Sequence, residues 1–345
     1  MTTTDNNPKI LADLINSSNS ILVITHISPD PDALCSLLLA GTTLKANYHD
    51  KKIAMNSEEL TGGLDFLASY NDIELQSLET AIDKHQPDLI IMVDAMNFKR
   101  CTRDNHEAVS VKVKSGGIRL AIIDHHEPEN VEPNDLYINH GSPAATQDVY
   151  ELFFRQLGLK KPDGYAQTAM LGIVSDTNRF MYDNPRHRET FMVTDELLDA
   201  GASIEELENK RNRFTKNEMM VLAELAANVT QDKDYTYSYI SDEFKNEWFK
   251  AGKSPEELKL GCQIFVNDYI RNIGSNRWGF MVYPDLLGGS NLYSASFRSV
   301  SGDKDVSKIT KFLGGGGHKA SAGAKFEATS VQEALNRVKA AIMEP

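Results

Sequence analysis

The sequence has few cysteines, no long apolar run and no excess of positive charge. Its three cysteines, Cys35, Cys101 and Cys262, lie far apart without CxxC spacing, which excludes a disulfide framework and a zinc knuckle. No apolar stretch approaches the roughly 18 residues of a membrane span, and the first residues lack the pattern of a signal peptide. We therefore expect a cytoplasmic protein with no membrane partner. The net charge of −13 argues against a protein that coats nucleic acid with its whole surface.

Four short segments in the first half of the chain read as strands, at residues 21–25, 52–55, 88–95 and 118–126. The last two are continuous apolar runs, which is typical of parallel strands buried on both faces. Helical patterns lie between and after these segments. The alternation predicts an α/β domain over residues 1–185, built on a doubly wound and mainly parallel sheet.

The pattern changes after this domain. Residues 186–234 are helical and charged and contain no chemical cluster, so we interpret them as a helical linker. Residues 235–345 contain a half-buried strand, a capped helix, two further strands and an amphipathic closing helix. They predict a second, smaller α/β domain, and 345 residues agree with two domains.

Acids and histidines follow four apolar segments, which are the strands at 21–25, 88–95 and 118–126 and a further apolar run within "GIVSDTNRF" at 172–180. The carboxyl ends of parallel strands lie along one sheet edge, where ligands bind in this class of fold, so these side chains would meet there. The candidates, in chain order, are His26, Asp30, Asp32, Asp94, Asp124, His125, His126 and Asp176. For any one of these acids, a helix cap or loop residue is the ordinary alternative. The repetition at four segments favours a common site.

Crowded carboxylates raise one another's pKa unless cations compensate their charge. A mixture of imidazoles and carboxylates suits two divalent ions, best Mn²⁺, with Co²⁺, Zn²⁺ or Mg²⁺ as alternatives. In "HISPDPD", His26 and Asp30 would turn toward one ion. Asp32, a candidate N-cap of the following helix, would reach the other.

An ordered set of motifs resembles the DHH phosphoesterase superfamily with a C-terminal DHHA1 domain. The motifs are "HISPDPDA", "VDA" at 93–95, "DHH" at 124–126, "SDT" at 175–177 and "GGGGHKASAG" at 314–323. In size the chain is most similar to the NrnA-like group of oligoribonucleases and pAp phosphatases. The family commonly has Gly where this chain has Pro31.

The resemblance implies a role for each candidate residue. His26 and Asp30 would bind the first ion, Asp94 would bridge, and the second ion would take Asp32, His125 and Asp176. His126 would face the scissile phosphate, and Asp124 would orient its neighbours.

The resemblance also implies an active site in a cleft between the two domains and a homodimer through the first. The substrate end remote from the cut would be held by Arg298, Gly314, Gly315, Gly316, Gly317 and His318. A flexible turn is the alternative for these glycines, since the Walker spacing is absent.

The resulting hypothesis is a Mn²⁺-dependent phosphohydrolase. Its substrates would be short oligoribonucleotides (nanoRNA) cleaved from an end, 3′-phosphoadenosine 5′-phosphate (pAp), or both. One alternative is a cyclic dinucleotide phosphodiesterase acting on c-di-AMP or pApA. A catalytically silent nucleotide sensor is another. The sensor is disfavoured because all six expected ligands are present.

Overall fold

The computed structural model describes residues 6–182, 184–211, 213–285, 291–300, 303–317 and 319–343. The chain divides into two compact units, Met1–Asn212 and Arg213–Pro345. The helices of the region 186–234 are shared between these units, and the domain boundaries proposed from the sequence stay a prediction. Among the described helices, none is both long enough and apolar enough to cross a membrane.

The first unit is built on a six-stranded parallel sheet, which confirms the predicted fold class. The spatial order is β3-β2-β1-β4-β5-β6, so the direction of winding reverses between β1 and β4. Such a switch point is where open α/β sheets bind ligands. The strands are β1 Ser20–Ile24, β2 Lys52–Ser57, β3 Ile73–Leu75, β4 Leu89–Val93, β5 Arg119–Ile123 and β6 Leu136–Ile138.

Helices cover both faces of this sheet. Alternate residues of β1 point to opposite faces, so Ile21 and Val23 join one apolar core and Leu22 and Ile24 join the other. The helices are α1 Pro8–Asn16, α2 Pro31–Asn47, α3 Leu78–His85, α4 Phe98–Cys101, α5 His106–Ser115, α6 Ala145–Tyr150, α7 Tyr165–Asp176, α8 His187–Asp199 and α9 Ile204–Arg211. A π-helical turn, Glu151–Gln156, continues α6.

The segment before Asp176 differs from the sequence-based expectation. We grouped its apolar residues with the strand-like runs, but Asp176 is the last residue of helix α7. Helix α7 packs against α2, and its residues 168–174 are all buried. A short helix buried on all sides has no polar face, so its periodicity cannot be told from that of a buried strand.

The second unit also contains a six-stranded sheet, in the order β11-β12-β10-β9-β8-β7. Strands β8 and β9 are parallel, and the other neighbours are antiparallel. The strands are β7 Thr230–Gln231, β8 Thr236–Tyr239, β9 Trp278–Pro284, β10 Leu292–Ser299, β11 Gly316–Gly317 and β12 Ser321–Glu327. The helices are α10 Lys216–Ala227, α11 Asp242–Lys250, α12 Pro255–Asp268, α13 Val306–Phe312 and α14 Val331–Met343.

Candidate metal centre

The sheet register brings three loops of the first unit to one edge. Ile24 of β1 lies opposite Met92 of β4, and Val93 of β4 lies opposite Ile123 of β5. The residues that follow these strands, including His26 and Asp94, therefore begin side by side. This edge is the one predicted from the polar ends of the apolar segments.

Asp94 lies between two imidazoles. Its backbone has a φ of +53°, a left-handed conformation that is uncommon for residues other than glycine. Its Oδ2 is 3.4 Å from His26 Nε2, and its Oδ1 is 3.4 Å from His125 Nε2. Only 1% of the surface of Asp94 is exposed, and its carboxylate lies between the two histidines. This is the position that the expected bridging role requires.

Possible ligand atoms form three groups among the described residues, and one of these groups consists of Asp94, Asp124, His125 and His126. The other two groups correspond to the expected ligand sets. His26, Asp30 and Asp94 have one nitrogen or oxygen each within 4.8 Å of one another, and so do Asp32, His125 and Asp176. His125 Nε2 lies 3.4 Å from Asp176 Oδ2 and 3.9 Å from Asp32 Oδ2. The structure thus brings all six candidates together in the two sets expected, while their role as ligands stays a prediction.

The N-cap of α2 is not the residue expected from the sequence. Asp30, not Asp32, is the N-cap, and its side chain accepts a hydrogen bond from Ala33 N at 3.0 Å. Asp32 is fully buried and accepts hydrogen bonds from Ala145 N (2.7 Å) and Thr146 N (3.0 Å). These amides begin α6, so they stabilise a carboxylate that no water reaches.

Asp124 orients the two adjacent histidines. Its Oδ1 accepts hydrogen bonds from His125 N at 2.8 Å and His126 N at 3.2 Å, and lies 2.8 Å from His126 Nδ1. A carboxylate beside Nδ1 keeps a proton on that nitrogen and fixes the ring's orientation. The position agrees with the orienting role expected for Asp124, and the catalytic role of His126 stays a prediction.

The acids and histidines of the centre shift one another's pKa. Burial raises the pKa of Asp30 and Asp176, and it raises that of Asp32 to about 8. Burial opposes the charge of Asp94 too, but the adjacent imidazoles of His125 and His26 outweigh it and hold the pKa of Asp94 low. The two histidines have raised pKa values because Asp94 outweighs the effect of their burial.

This donor set fits divalent cations. Asp94 Oδ1 and His125 Nε2 are both buried, and their 3.4 Å contact lacks hydrogen-bond geometry, so neither atom has a hydrogen-bond partner among the described residues. Four carboxylates with two imidazoles are oxygen and nitrogen ligands suited to Mn²⁺ and similar ions. Such ions would replace the protons that now limit the repulsion between the acids.

The glycine-rich segment of the second unit is shaped by close packing. A Cβ on Gly315 would lie 2.2 Å from Gly323 O, and one on Gly317 would lie 2.5 Å from Ala322 Cα. The amides of Gly314 and Gly315 donate to Lys311 O and Thr310 O at the end of α13. These two amides therefore already have carbonyl partners within the protein.

Arg298 lies at the same end of this sheet. It pairs with Ser321 of β12, next to the Ala322–Gly317 pair, and its guanidinium donates to Asn267 Oδ1 at 2.8 and 3.0 Å. His318 lies outside the described residues. The substrate-binding role proposed for this segment stays a prediction.

Known proteins resemble this chain in sequence and in fold. Residues 20–173 match the profile of the DHH family, N-terminal domain. This part of the chain is similar to the DHH family, N-terminal domain. The match contains every candidate ligand except Asp176, which lies three residues beyond its end, and it confirms the resemblance drawn from the motifs.

Two relatives and one solved structure are informative. The bifunctional oligoribonuclease and PAP phosphatase NrnA of Bacillus subtilis (strain 168) is 25% identical over 315 residues, 90% of this chain and 91% of that protein. A probable manganese-dependent inorganic pyrophosphatase of Bacillus cereus (strain 03BB102) is 27% identical over 205 residues, 53% of this chain and 61% of that protein. An exopolyphosphatase-related protein from Bacteroides fragilis has the same fold, with a TM-score of 0.79, 23% identity and coverage of 97% of this chain and 95% of that one.

The sequence analysis did not identify several residues that lie around this centre. Ser142 accepts from the ring of His125 through its carbonyl oxygen, Arg186 contacts the Ser142 hydroxyl, and Gly172 packs beside Asp32. Arg186 opens the region that we described as having no chemical cluster. No motif marks these residues, since each acts through a contact made only in the folded chain.

The stability of the ion-free protein should fall as pH rises from about 5 to 8. Asp32 keeps its proton to a pKa of about 8 when folded, against an ordinary value of 3.8, so the folded state binds more protons across this window. The raised pKa values of His26 and His125 act in the same direction. The low pKa of Asp94 adds stability that is lost only at more acidic pH.

The measurement is the thermal midpoint of the chelator-treated chain between pH 5.5 and 8.5. Asp32→Asn should show a shallower decline than wild type, and added Mn²⁺ should raise the wild-type midpoint most at the alkaline end. A wild-type midpoint that declines with pH in chelator no more steeply than that of Asp32→Asn would contradict the assignment of Asp32.

Gly172→Ala should weaken ion binding by disturbing Asp32. A Cβ at this position would lie 2.2 Å from Thr146 Oγ1 and 3.0 Å from Asp32 Oδ1. Gly261→Ala is a matched control, since its Cβ would lie 2.6 Å from Val221 Cβ in the second unit. Both variants should lower the thermal midpoint, but calorimetric titration with Mn²⁺ should show weaker binding only for Gly172→Ala. Equal Mn²⁺ affinity in the two variants would contradict the placement of Asp32 among the ligands.

Proposed function

We propose that the chain is a phosphoesterase of the DHH type that uses two divalent ions, preferably Mn²⁺. The observation that carries this proposal is the convergence of six side chains into two groups around the buried Asp94. The names of the relatives support it, since they describe an oligoribonuclease, a PAP phosphatase and a manganese-dependent pyrophosphatase.

Each group of side chains would hold one ion. His26 and Asp30 would bind the first, Asp32, His125 and Asp176 would bind the second, and Asp94 would contribute to both. Bound ions of this kind acidify water and stabilise charge that develops on a phosphate. The protein's own contribution is rigidity, because Asp32 is held by two amides of α6 and Asp30 caps α2.

His126 is the group best placed to act on the substrate's phosphate. Its Nδ1 is occupied by Asp124 at 2.8 Å, and 25% of its side-chain surface is exposed. His125, by comparison, is only 12% exposed and lies among the acids. We infer that His126 donates to a phosphate oxygen or to the leaving group, while Asp124 holds its ring in place.

The proposed substrates are short oligoribonucleotides and pAp. One relative, the NrnA of Bacillus subtilis, matches over most of both chains and is named for these two activities. Arg298 and the segment Gly314–His318 would bind the remote end of a substrate, with Arg298 as the cationic group. A cyclic dinucleotide is the alternative substrate, and no contact of the described residues favours it.

A substrate panel with Mn²⁺ tests the proposal. The full chain should hydrolyse an RNA dinucleotide or pAp faster than cyclic di-AMP and faster than pyrophosphate, as measured by product analysis and phosphate release. A preference for cyclic di-AMP would show that the proposed substrates are wrong and that the enzyme acts on a cyclic dinucleotide. Nucleotide binding without hydrolysis, with any of Mn²⁺, Co²⁺, Zn²⁺ or Mg²⁺, would favour the silent sensor.

Asp94→Asn should abolish hydrolysis and leave the fold intact. Loss of a carboxylate that serves both ions should slow turnover by about 10³-fold or more, which corresponds to about 4 kcal/mol of barrier. The measurement is kcat on the best panel substrate, together with the thermal midpoint.

Asp88→Asn is the matched control, because Asp88 precedes the same strand that Asp94 follows. Its Oδ2 accepts from Asn19 N at 2.7 Å and from Ser20 N at 3.1 Å, at the opposite end of the sheet. This variant should lose about 1 kcal/mol of stability and retain its kcat. Full activity in Asp94→Asn would contradict the proposed centre.

A further inference from the structure

A short segment, Asn139–Ser142, holds both histidines of the "DHH" motif. Ser142 O is 3.3 Å from His125 Nδ1, and Asn139 Nδ2 donates to His126 O at 2.8 Å. With Nδ1 of His125 on the Ser142 carbonyl, its Nε2 faces Asp94 and Asp176, 3.4 Å from each. The position of this segment therefore sets the direction in which His125 presents its ligand atom.

Arg186 connects this segment to a pair of acids. Its Nη1 donates to Ser142 Oγ and lies 3.8 Å from Asp148 Oδ1, and its Nη2 donates to Glu151 Oε2 at 2.9 Å. Arg186 stands just before α8, and the acids belong to α6 and to the π-helical turn that continues it. One guanidinium thus joins three parts of the chain behind His125.

Both acids are buried. Asp148 has no exposed surface and Glu151 is 6% exposed, which makes a nearby cation necessary. Asp148 Oδ2 accepts from His140 N at 3.3 Å, within the segment that holds the histidines. Gln147 Nε2 donates to Glu151 Oε1 at 2.9 Å.

The geometry points to Arg186 as a positioning residue for His125, acting through Ser142. Buried Asp148 and Glu151 hold the guanidinium, the guanidinium holds the Ser142 hydroxyl, and the Ser142 carbonyl orients the imidazole. The planar fork of the guanidinium reaches the Ser142 hydroxyl and the Glu151 carboxylate from two different nitrogens held in a fixed geometry, and the single nitrogen of a lysine does not have this spread. This inference rests on the proposed two-ion centre. It predicts that Arg186 affects the binding of the ion held by Asp32, His125 and Asp176.

The test is Mn²⁺ binding by the full-length Arg186→Gln variant. Partners that orient a metal-binding histidine typically change metal affinity by about 10–100-fold. After chelator treatment, calorimetric titration should show two ions for wild type and one of them about 10–100-fold weaker for Arg186→Gln. The other ion, assigned to His26 and Asp30, should keep its affinity. A general loss of structure would instead weaken the binding of both ions.

Arg155→Gln is the matched control. Arg155 Nη2 donates to Glu196 Oε1 at 2.7 Å and its Nη1 is 3.9 Å from Glu151 Oε1, so it neighbours the same buried acid. In the described part of the chain it makes no hydrogen bond or ion pair with residues 139–142. This variant should bind both ions as wild type does.

Two further variants decide the question independently. Ser142→Ala removes the hydroxyl that Arg186 contacts but keeps the carbonyl, and it should weaken the same ion to a smaller extent. Arg186→Lys keeps the charge without the fork and should not restore the affinity. If Arg186→Gln does not fold, the affinity of Ser142→Ala decides.

The proposal is overturned if Arg186→Gln and Ser142→Ala bind both ions as tightly as wild type, or if Arg155→Gln weakens binding equally. Equal weakening of both ions in Arg186→Gln also contradicts it. A wild-type chain that binds no Mn²⁺ overturns this proposal together with the two-ion centre. A wild-type chain that binds two ions yet hydrolyses no panel substrate contradicts the proposed function and leaves this inference standing.

Discussion

The repulsion between buried carboxylates is the constraint on which the rest of the first unit depends. Asp30, Asp32, Asp94 and Asp176 face one another at one sheet edge, where burial makes their charges unfavourable. Two histidines offset part of this repulsion and hold Asp94 ionised. The amides of α6 offset another part by donating to Asp32, which still keeps its proton to a pKa of about 8. The remaining imbalance is what divalent cations would remove, so the apo centre is a site prepared for ions.

Rigid elements place each of these groups. The parallel register aligns the ends of β1, β4 and β5, the left-handed backbone of Asp94 turns its carboxylate between His26 and His125, and α6 presents its first amides to Asp32. A second layer lies behind, in which buried acids are compensated by Arg186. Sites supported in this way change little when a ligand arrives, because the supporting groups are already bonded to one another.

In the second unit, close packing determines the conformation of the glycine-rich segment. Its glycines lie where β11 approaches β12 so closely that side chains would collide, and two of their amides complete the end of α13. Close packing therefore explains two of the glycines to which the resemblance gave a role in substrate binding. Arg298 lies at the same end of that sheet, and its role in recognising a phosphate stays a proposal.

The sequence alone determined the parallel sheet and most of the candidate centre, because strands buried on both faces are continuous apolar runs and the residues after them must share an edge. It did not determine that Asp176 ends a helix, since a fully buried helix lacks a polar face, nor that Asp30 caps α2 while Asp32 turns inward. The partners of Asp32, and the contact of Arg186 with Ser142, were decided only by tertiary packing. These contacts join residues more than forty positions apart, and local periodicity carries no information about which distant groups will meet.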